Sequence, residues 1–206
     1  MMEIRRASEL GVDIRPQLSS LFVDSFGQWL TYFSKDKDKL KRAFSHAFVL
    51  DAFFVAIVNG KVAGMAAVTD GVSPSMKLNG TELRRHLGFI TGSLAHKMLY
   101  RELENHPYPF KLLENECSLE FVAVSQAHRG EGIAFAILSE IFERTAYASY
   151  VLEAADTNLP AVTLYKKLGF EEFCRVKVKH TKHSGINALV YMRCNPNKKA
   201  GYVAAQ

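Results

Sequence analysis

Apolar positions recur along the chain with two periods, near 3.6 and 2, and their alternation divides it into helices and strands. Met2–Ala7 reads as a short first strand. From Leu10 to Phe33, Ile14, Leu18, Leu21, Phe22, Phe26 and Leu30 keep helical spacing and predict a long, half-buried helix. Ser34 is placed to cap a second helix through Lys41 and Phe44, because a hydroxyl there accepts from the donors of the first turn. Phe53–Val58 and Val62–Val68 are β-branched and aromatic runs joined by Asn59-Gly60, a pair that tolerates positive φ and marks a hairpin. Asp70–Gly80 is loop punctuation. Leu83, Leu87, Ile90, Leu94, Met98 and Leu103 then predict one helix from about Glu82 to Glu104, in which Gly88 and Gly92, one turn apart, permit close packing.

The last ninety or so residues alternate more regularly. Ser118–Val124 reads as a strand, Ile133–Ala146 as a helix, Tyr150–Ala155 as a strand and Pro160–Leu168 as a helix, before strands at Glu172–Lys179 and Asn187–Arg193. This order predicts a mixed sheet with helices packed on it. Asn195–Gln206 loses periodicity and is expected to fray.

Composition changes this picture little. The chain has 206 residues, 48% hydrophobic and 23% charged, which excludes wholesale disorder. A net charge of +5 suits a polyanionic ligand without demanding nucleic acid, and Asp36 and Asp38 offset the lysines between Lys35 and Arg42. Apolar runs such as Ala52–Val58 fall far short of the roughly 20 residues that cross a membrane. Glu3, Arg5, Arg6 and Glu9 stand where a signal peptide would be apolar, so the N-terminus reads as mature structure. Cys117, Cys174 and Cys194 are odd in number and far apart, which predicts neither a disulfide framework nor a CxxC metal site and implies a reducing cytoplasm. His180 and His183 have no acidic or cysteine companions, so no metal is expected.

Candidate chemistry begins at the turn Ser125–Ala134. Gly130 and Gly132 let backbone approach a ligand, and the helix after them is anchored by Ile133, Ile137, Leu138 and Ile141. Its first N–H groups have no intrahelical partners and sit at the positive end of the helix dipole, so they can receive phosphate oxygens, with Arg129 adding a charge. No Gly-Lys-Ser or Gly-Lys-Thr follows, so a P-loop does not fit. A dinucleotide fingerprint fits in part, with Glu153 as the acidic residue, but Phe135 stands where the third glycine belongs. His128 beside the turn reads as a surface residue rather than a catalyst.

These residues resemble the GNAT superfamily of acetyl-CoA-dependent N-acetyltransferases. Its acyl-CoA motif, Arg or Gln, two residues, Gly, one residue, Gly or Ala, is matched by Arg129, Gly130, Glu131, Gly132, Ile133 and Ala134. Asn158-Leu-Pro-Ala161-Val-Thr-Leu-Tyr165-Lys-Lys-Leu-Gly169-Phe170 is similar to a second family segment. The resemblance is close over Ser118–Phe170. It implies an α/β fold with a mixed, mostly antiparallel twisted sheet, helices on both faces, and a helical insertion at 71–115 before the CoA-binding strand. On that reading residues 1–195 form a single domain and 196–206 a tail.

The resemblance further implies acetyl-CoA as co-substrate, with pantetheine along Val122, Ala123 and Val124, pyrophosphate over Arg129–Ala134, and Asn158 in the cofactor site. An amine with pKa near 10 is only about 0.1% neutral at pH 7, so it needs a base. Strand alternation puts Glu120 on one face with Ser118, Val122 and Val124 and makes it the candidate. Tyr165 matches the position that often protonates the departing thiolate; packing in an amphipathic helix accounts for it equally. The acceptor is an amine of a small molecule, polyamine, antibiotic or protein N-terminus. The Glu82–Glu104 helix is expected to shape its pocket or a homodimer interface. A CoA-sensing module of the same fold without turnover is the alternative.

Overall fold

A computed structural model of the chain describes residues 2–104, 108–178 and 185–196. Among them one seven-stranded sheet runs in the order β1-β2-β3-β4-β5-β7-β6, with β1 Met2–Arg6, β2 Phe53–Val58, β3 Lys61–Thr69, β4 Glu116–Val124, β5 Ser149–Ala155, β6 Glu171–Lys177 and β7 Ala188–Cys194. Every neighbouring pair is antiparallel except β4 and β5. The predicted hairpin is present, with Asn59 at φ 51° and Gly60 at φ 74°.

Alternation along the strands supplies a core on each face. Phe53, Val55, Met65 and Ala67 pack with helices α1 (Arg15–Phe26) and α2 (Lys37–Phe44). Phe54, Ala66, Cys117, Leu119, Leu152 and Met192 pack with α5 (Ile133–Arg144) and α6 (Leu159–Leu168). Between β3 and β4 lie α3 (Gly80–Leu87), α4 (Phe89–Leu99) and a π-helical turn at Tyr100–Glu104. Leu83, Leu87 and Ala95 join the first core, so this segment extends the α1/α2 layer.

Several element boundaries differ from those predicted. The long first helix is confined to α1: Gly11 at φ 69° closes a short 3₁₀ turn before it, and Gly27 caps it, donating to Val23 O. Leu30 keeps its buried place from a separate 3₁₀ turn. Asp36, not Ser34, caps α2, its Oδ1 accepting from Lys39 N at 3.0 Å; the Ser34 hydroxyl accepts from Asp36 N instead. The predicted Glu82–Glu104 helix breaks at Gly88, whose φ of 88° and ψ of 160° suit glycine alone. The close approach expected of the glycines occurs across that corner, because a Cβ on Gly92 would stand 2.5 Å from Arg84 Cα. Phe89 and Ile90 are turned outward, 78% and 82% exposed. Lys179, His180, His183 and the tail from residue 197 lie outside the described residues.

Candidate active site

The glycine turn is built as the sequence implies. A 3₁₀ turn at Gln126–His128 follows β4, and Gly130 and Gly132 both take the left-handed region, at φ 83° and 77°. Gly132 is the N-cap of α5 and no side chain caps that terminus, so the first-turn N–H groups are left to a ligand or solvent. A Cβ at either glycine would meet nothing within 4 Å. Arg129, Gly130, Glu131 and Gly132 are exposed; Ile133 is buried and ties the helix down. Beneath it, a Cβ on Gly64 of β3 would fall 2.7 Å from Ile133 Cγ2, so that glycine lets α5 sit close to the sheet. His128 is partnered with Glu131, 3.0 Å away, in keeping with a surface role.

Strand β4 carries an irregularity that alternation does not foresee. Ala67 pairs with Glu120 and Met65 with Ala123, so Phe121 and Val122 together oppose Ala66 alone, and Phe121 has φ 50°. This bulge corrects the predicted face for Glu120. Ser118 and Glu120 lie on the α1/α2 side, whereas Val122 and Val124 pack with the α5 core, and Phe121 turns back among Phe22, Phe26 and Phe53.

Just past Leu119, β4 and β5 part. Their parallel pairing runs only from Glu116↔Ser149 to Leu119↔Leu152, although β4 continues to Val124 and β5 to Ala155. The splay opens a wedge through the sheet whose walls are extended backbone, able to hydrogen-bond a linear amide-bearing chain. The glycine turn stands at the end of that wall, one 3₁₀ turn beyond Val124.

Polar groups gather on the α1/α2 side of the wedge. Glu120, half-buried, accepts from Ser75 Oγ at 2.6 Å and from Thr69 Oγ1 at 3.2 Å. Tyr108, carried by the segment between β3 and β4, shares a hydrogen bond with Ser118 Oγ and also interacts with Glu120. Burial first, and the Glu120 charge second, push the Tyr108 phenol up from its ordinary value. Tyr191 on β7 is hydrogen-bonded to Glu153 on β5. On the opposite side Tyr165 is 6% exposed, packed at 5.9 Å on Phe170, and burial pushes its phenol up to about 12. The predicted acid and base thus lie on opposite faces with the wedge between them. Asn158 is the N-cap of α6, accepting from Ala161 N at 3.3 Å, which accounts for it locally.

The model of the GNAT acetyltransferase family matches residues 16–170, three quarters of the 206-residue chain. The chain belongs to the GNAT acetyltransferase family. An uncharacterised N-acetyltransferase of Schizosaccharomyces pombe is 34% identical over 85 residues, 40% of this chain; the chain spans about half the length of that relative. An N-acetyltransferase of Staphylococcus aureus is similar over 93% of this chain and 100% of its own, at TM-score 0.61 and 20% identity. A ribosomal-protein-alanine N-acetyltransferase from Brucella melitensis is similar over 94% and 99%, at TM-score 0.56 and 19% identity. At these identities the structural likenesses carry the fold.

The GNAT fold excludes the dinucleotide alternative, since a doubly wound parallel sheet would need more than the single parallel pair found here. Among the described residues no group of three His, Cys, Asp or Glu could hold a metal, and no helix is long and apolar enough to cross a membrane. Cys117 and Cys194 are buried, the Cys194 thiol donating to Leu168 O at 3.4 Å, and Cys174 is half-buried. Ser75, Thr69 and Tyr108 were not among the predicted site residues. They lie at a strand end and in irregular segments, where neither period operates, and an aromatic-rich stretch around Tyr108 is the only local signal.

Proposed function

We propose that this GNAT protein transfers an acetyl group from acetyl-CoA to an amine by direct attack in a ternary complex. The splayed, bulged end of β4, leading straight into an uncapped glycine turn, is the observation that carries the reading. Pantetheine amides would bond the backbone of Val122, Ala123 and Val124. The pyrophosphate would take the N–H groups of Arg129–Ala134, with Arg129 as counter-ion, where the helix dipole favours negative charge. Asn158 would serve by holding α6, and through it Tyr165, against the wedge.

In the reaction Glu120 takes a proton from the acceptor ammonium, a step that otherwise costs about 4 kcal/mol at pH 7 for an amine of pKa near 10. The freed lone pair attacks the thioester carbon, the carbon–sulfur bond of the tetrahedral species breaks toward thiolate, and the second nitrogen proton passes through water to the sulfur, so that the amide and CoA thiol leave and Glu120 returns its proton to solvent. Tyr165 stays protonated at neutral pH, with its phenol pushed up to about 12, and meets the sulfur as a hydrogen-bond donor. A thiol has a pKa of about 8.5 in water, and burial raises it, bringing the departing sulfur nearer to the phenol. The insertion, through Tyr108, forms one wall of the acceptor side.

Mixing the pure protein with acetyl-CoA and a panel of amines while following free thiol tests the reading. Amine-dependent thiol release is expected; tight acetyl-CoA binding without release from any amine would mark a non-catalytic CoA module and overturn it.

A further inference from the structure

We infer that Ser75 and Thr69 are positioning residues for acetyl transfer, their hydroxyls holding the two carboxylate oxygens of Glu120 so that the base meets the acceptor nitrogen already oriented. The inference rests on the assignment of Glu120 as base in the proposed reaction.

The strand alone does not fix that side chain. Across β3, Glu120 faces Ala67, which is too small to hold it, and regular pairing stops there because the Phe121 bulge follows. A glutamate side chain is rich in rotamers, and a base held loosely is often out of reach of the proton it must take. Two buried hydroxyls remove that freedom. Thr69 lies two residues along β3 from Ala67 and is therefore the diagonal neighbour of Glu120 on the same face; its Oγ1 donates to Oε1 at 3.2 Å. Ser75 comes from the loop after β3, and its Oγ donates to the other oxygen, Oε2, at 2.6 Å.

The loop keeps Ser75 in place by its own hydrogen bonds. Asp70 closes its start, Oδ1 accepting from Val72 N at 2.9 Å and from Ser73 N at 3.0 Å. Ser75 O accepts from Val49 N at 2.9 Å, Lys77 N donates to Ala47 O at 2.7 Å, and the buried Met76 between them is bridged to Phe48. Ser75 is itself fully buried, where a hydroxyl needs a partner, and the partner it has is the proposed base. Both donors are uncharged, so they orient the carboxylate without repelling an approaching ammonium, as an arginine would.

The test measures kcat and KM in thiol release with the amine of the panel that reacts fastest. Ser75→Ala is expected to lower kcat about 10- to 100-fold, the effect of a small misplacement at the reacting centre, with KM for the amine within about twofold. Thr69→Val should lose less, through its longer hydrogen bond, and Thr69→Ser, which keeps the hydroxyl, should regain most of that loss. Glu120→Gln should cost about 10²- to 10⁴-fold, and in its background Ser75→Ala should cost no more than about twofold further, because a residue that acts through the base has nothing left to position. Calorimetry with acetyl-CoA reports that each variant is folded, and the Thr69 variants run through the same cycle decide the matter if Ser75→Ala does not fold. Wild-type kcat in Ser75→Ala and Thr69→Val, or losses of the same size with and without Glu120, overturn the positioning role and leave acetyl transfer standing. Wild-type kcat in Glu120→Gln does the same by removing the base. Failure to release thiol with any amine overturns acetyl transfer itself, and this inference with it.

Discussion

A tyrosine hydroxyl at the edge of an apolar seam can stabilise a departing thiolate without first shedding a competing hydration shell. The Tyr165 ring is held by Phe170 and the α5/α6 core, so replacing it with phenylalanine keeps the packing and removes one proton. Tyr165→Phe is therefore expected to retain fold and acetyl-CoA affinity but to lose on the order of 10² to 10³ in turnover, the range for removing one positioned hydrogen-bond donor to a developing negative charge. Single-turnover kinetics checks this, and a near-normal chemical step would reduce Tyr165 to a packing residue. Gly132 presents the opposite case, because its surroundings are open and its φ of 77° excludes most side chains. Gly132→Glu adds strain and a negative charge where the pyrophosphate is proposed to sit; calorimetry should show acetyl-CoA affinity reduced at least about tenfold beyond the Gly132→Ala control, which carries the strain alone. Tyr165 and the glycine turn are visible in the sequence because family motifs contain them. Glu120 is visible only as a type of residue on a strand: the Phe121 bulge resets its face, and no period-2 reading contains a bulge.

At the scale of elements, the position of α5 depends on how closely its first turn approaches β3. Gly64 has no side chain, and a Cβ there would stand 2.7 Å from Ile133 Cγ2 and 3.0 Å from Ile137 Cδ1. Gly64→Ala must lift the N-terminal end of α5 or distort two core rotamers, a cost of about 1–3 kcal/mol. Urea unfolding should register that loss, and acetyl-CoA affinity should fall with it, since the donors of the glycine turn ride on α5. Stability lost at unchanged affinity would show that the turn is positioned independently of this contact. The segment between β3 and β4 is legible as helical from its apolar spacing but not as two helices. Ile90, Leu94 and Met98 keep the 3.6 period yet lie on the exposed side of α4, while the corner at Gly88 sends Leu83, Leu87 and Ala95 inward. Spacing alone does not record where an axis bends. The join between this segment and α2 is also titratable. His46 Nε2 accepts from Asn79 N, the residue capping α3, and burial holds the imidazole below its ordinary value despite Glu82; His86 and His96 act in the same direction as burial. A base with a lowered folded pKa contributes stability that is present above about pH 6.5 and lost as pH falls below it. Amide exchange in α3 is accordingly expected to quicken at pH 5.5 relative to pH 7.5 once intrinsic rates are normalised, and to lose that dependence in His46→Gln.

Across the whole molecule, the strand positions follow from alternation, but the sheet order does not. Nothing in a period-2 pattern says that β7 inserts between β5 and β6 or that β4 and β5 are parallel and splayed. A buried ion pair ties those central strands together. Glu116 on β4 is 3% exposed; it accepts from Arg193 on β7 and from Ser149 Oγ on β5, at 2.7 Å each, and from Leu113 N at 2.9 Å. Burial alone would raise its carboxyl pKa, but the hydrogen bonds from Leu113, Arg193 and Ser149 outweigh it and hold the group below the usual carboxylate range. A carboxyl so depressed stabilises the fold above the unfolded value of about pH 4.3, and that stability is lost as pH falls through the folded value. Arg193→Met keeps an unbranched side chain against Phe173 and removes the charge, leaving Glu116 with its neutral donors alone. The loss at pH 7 should be about 2–4 kcal/mol, below the full value for a buried pair because the Arg193 side chain is itself 26% exposed. In the variant the carboxyl pKa moves upward, so protonation relieves the unpaired charge as the pH falls, and the deficit at pH 4.5 should be smaller than at pH 7. Urea unfolding of both proteins at pH 7 and pH 4.5 measures this directly. A deficit that stays the same at the two pH values would assign the contribution of Arg193 to its stacking on Phe173 rather than to its charge.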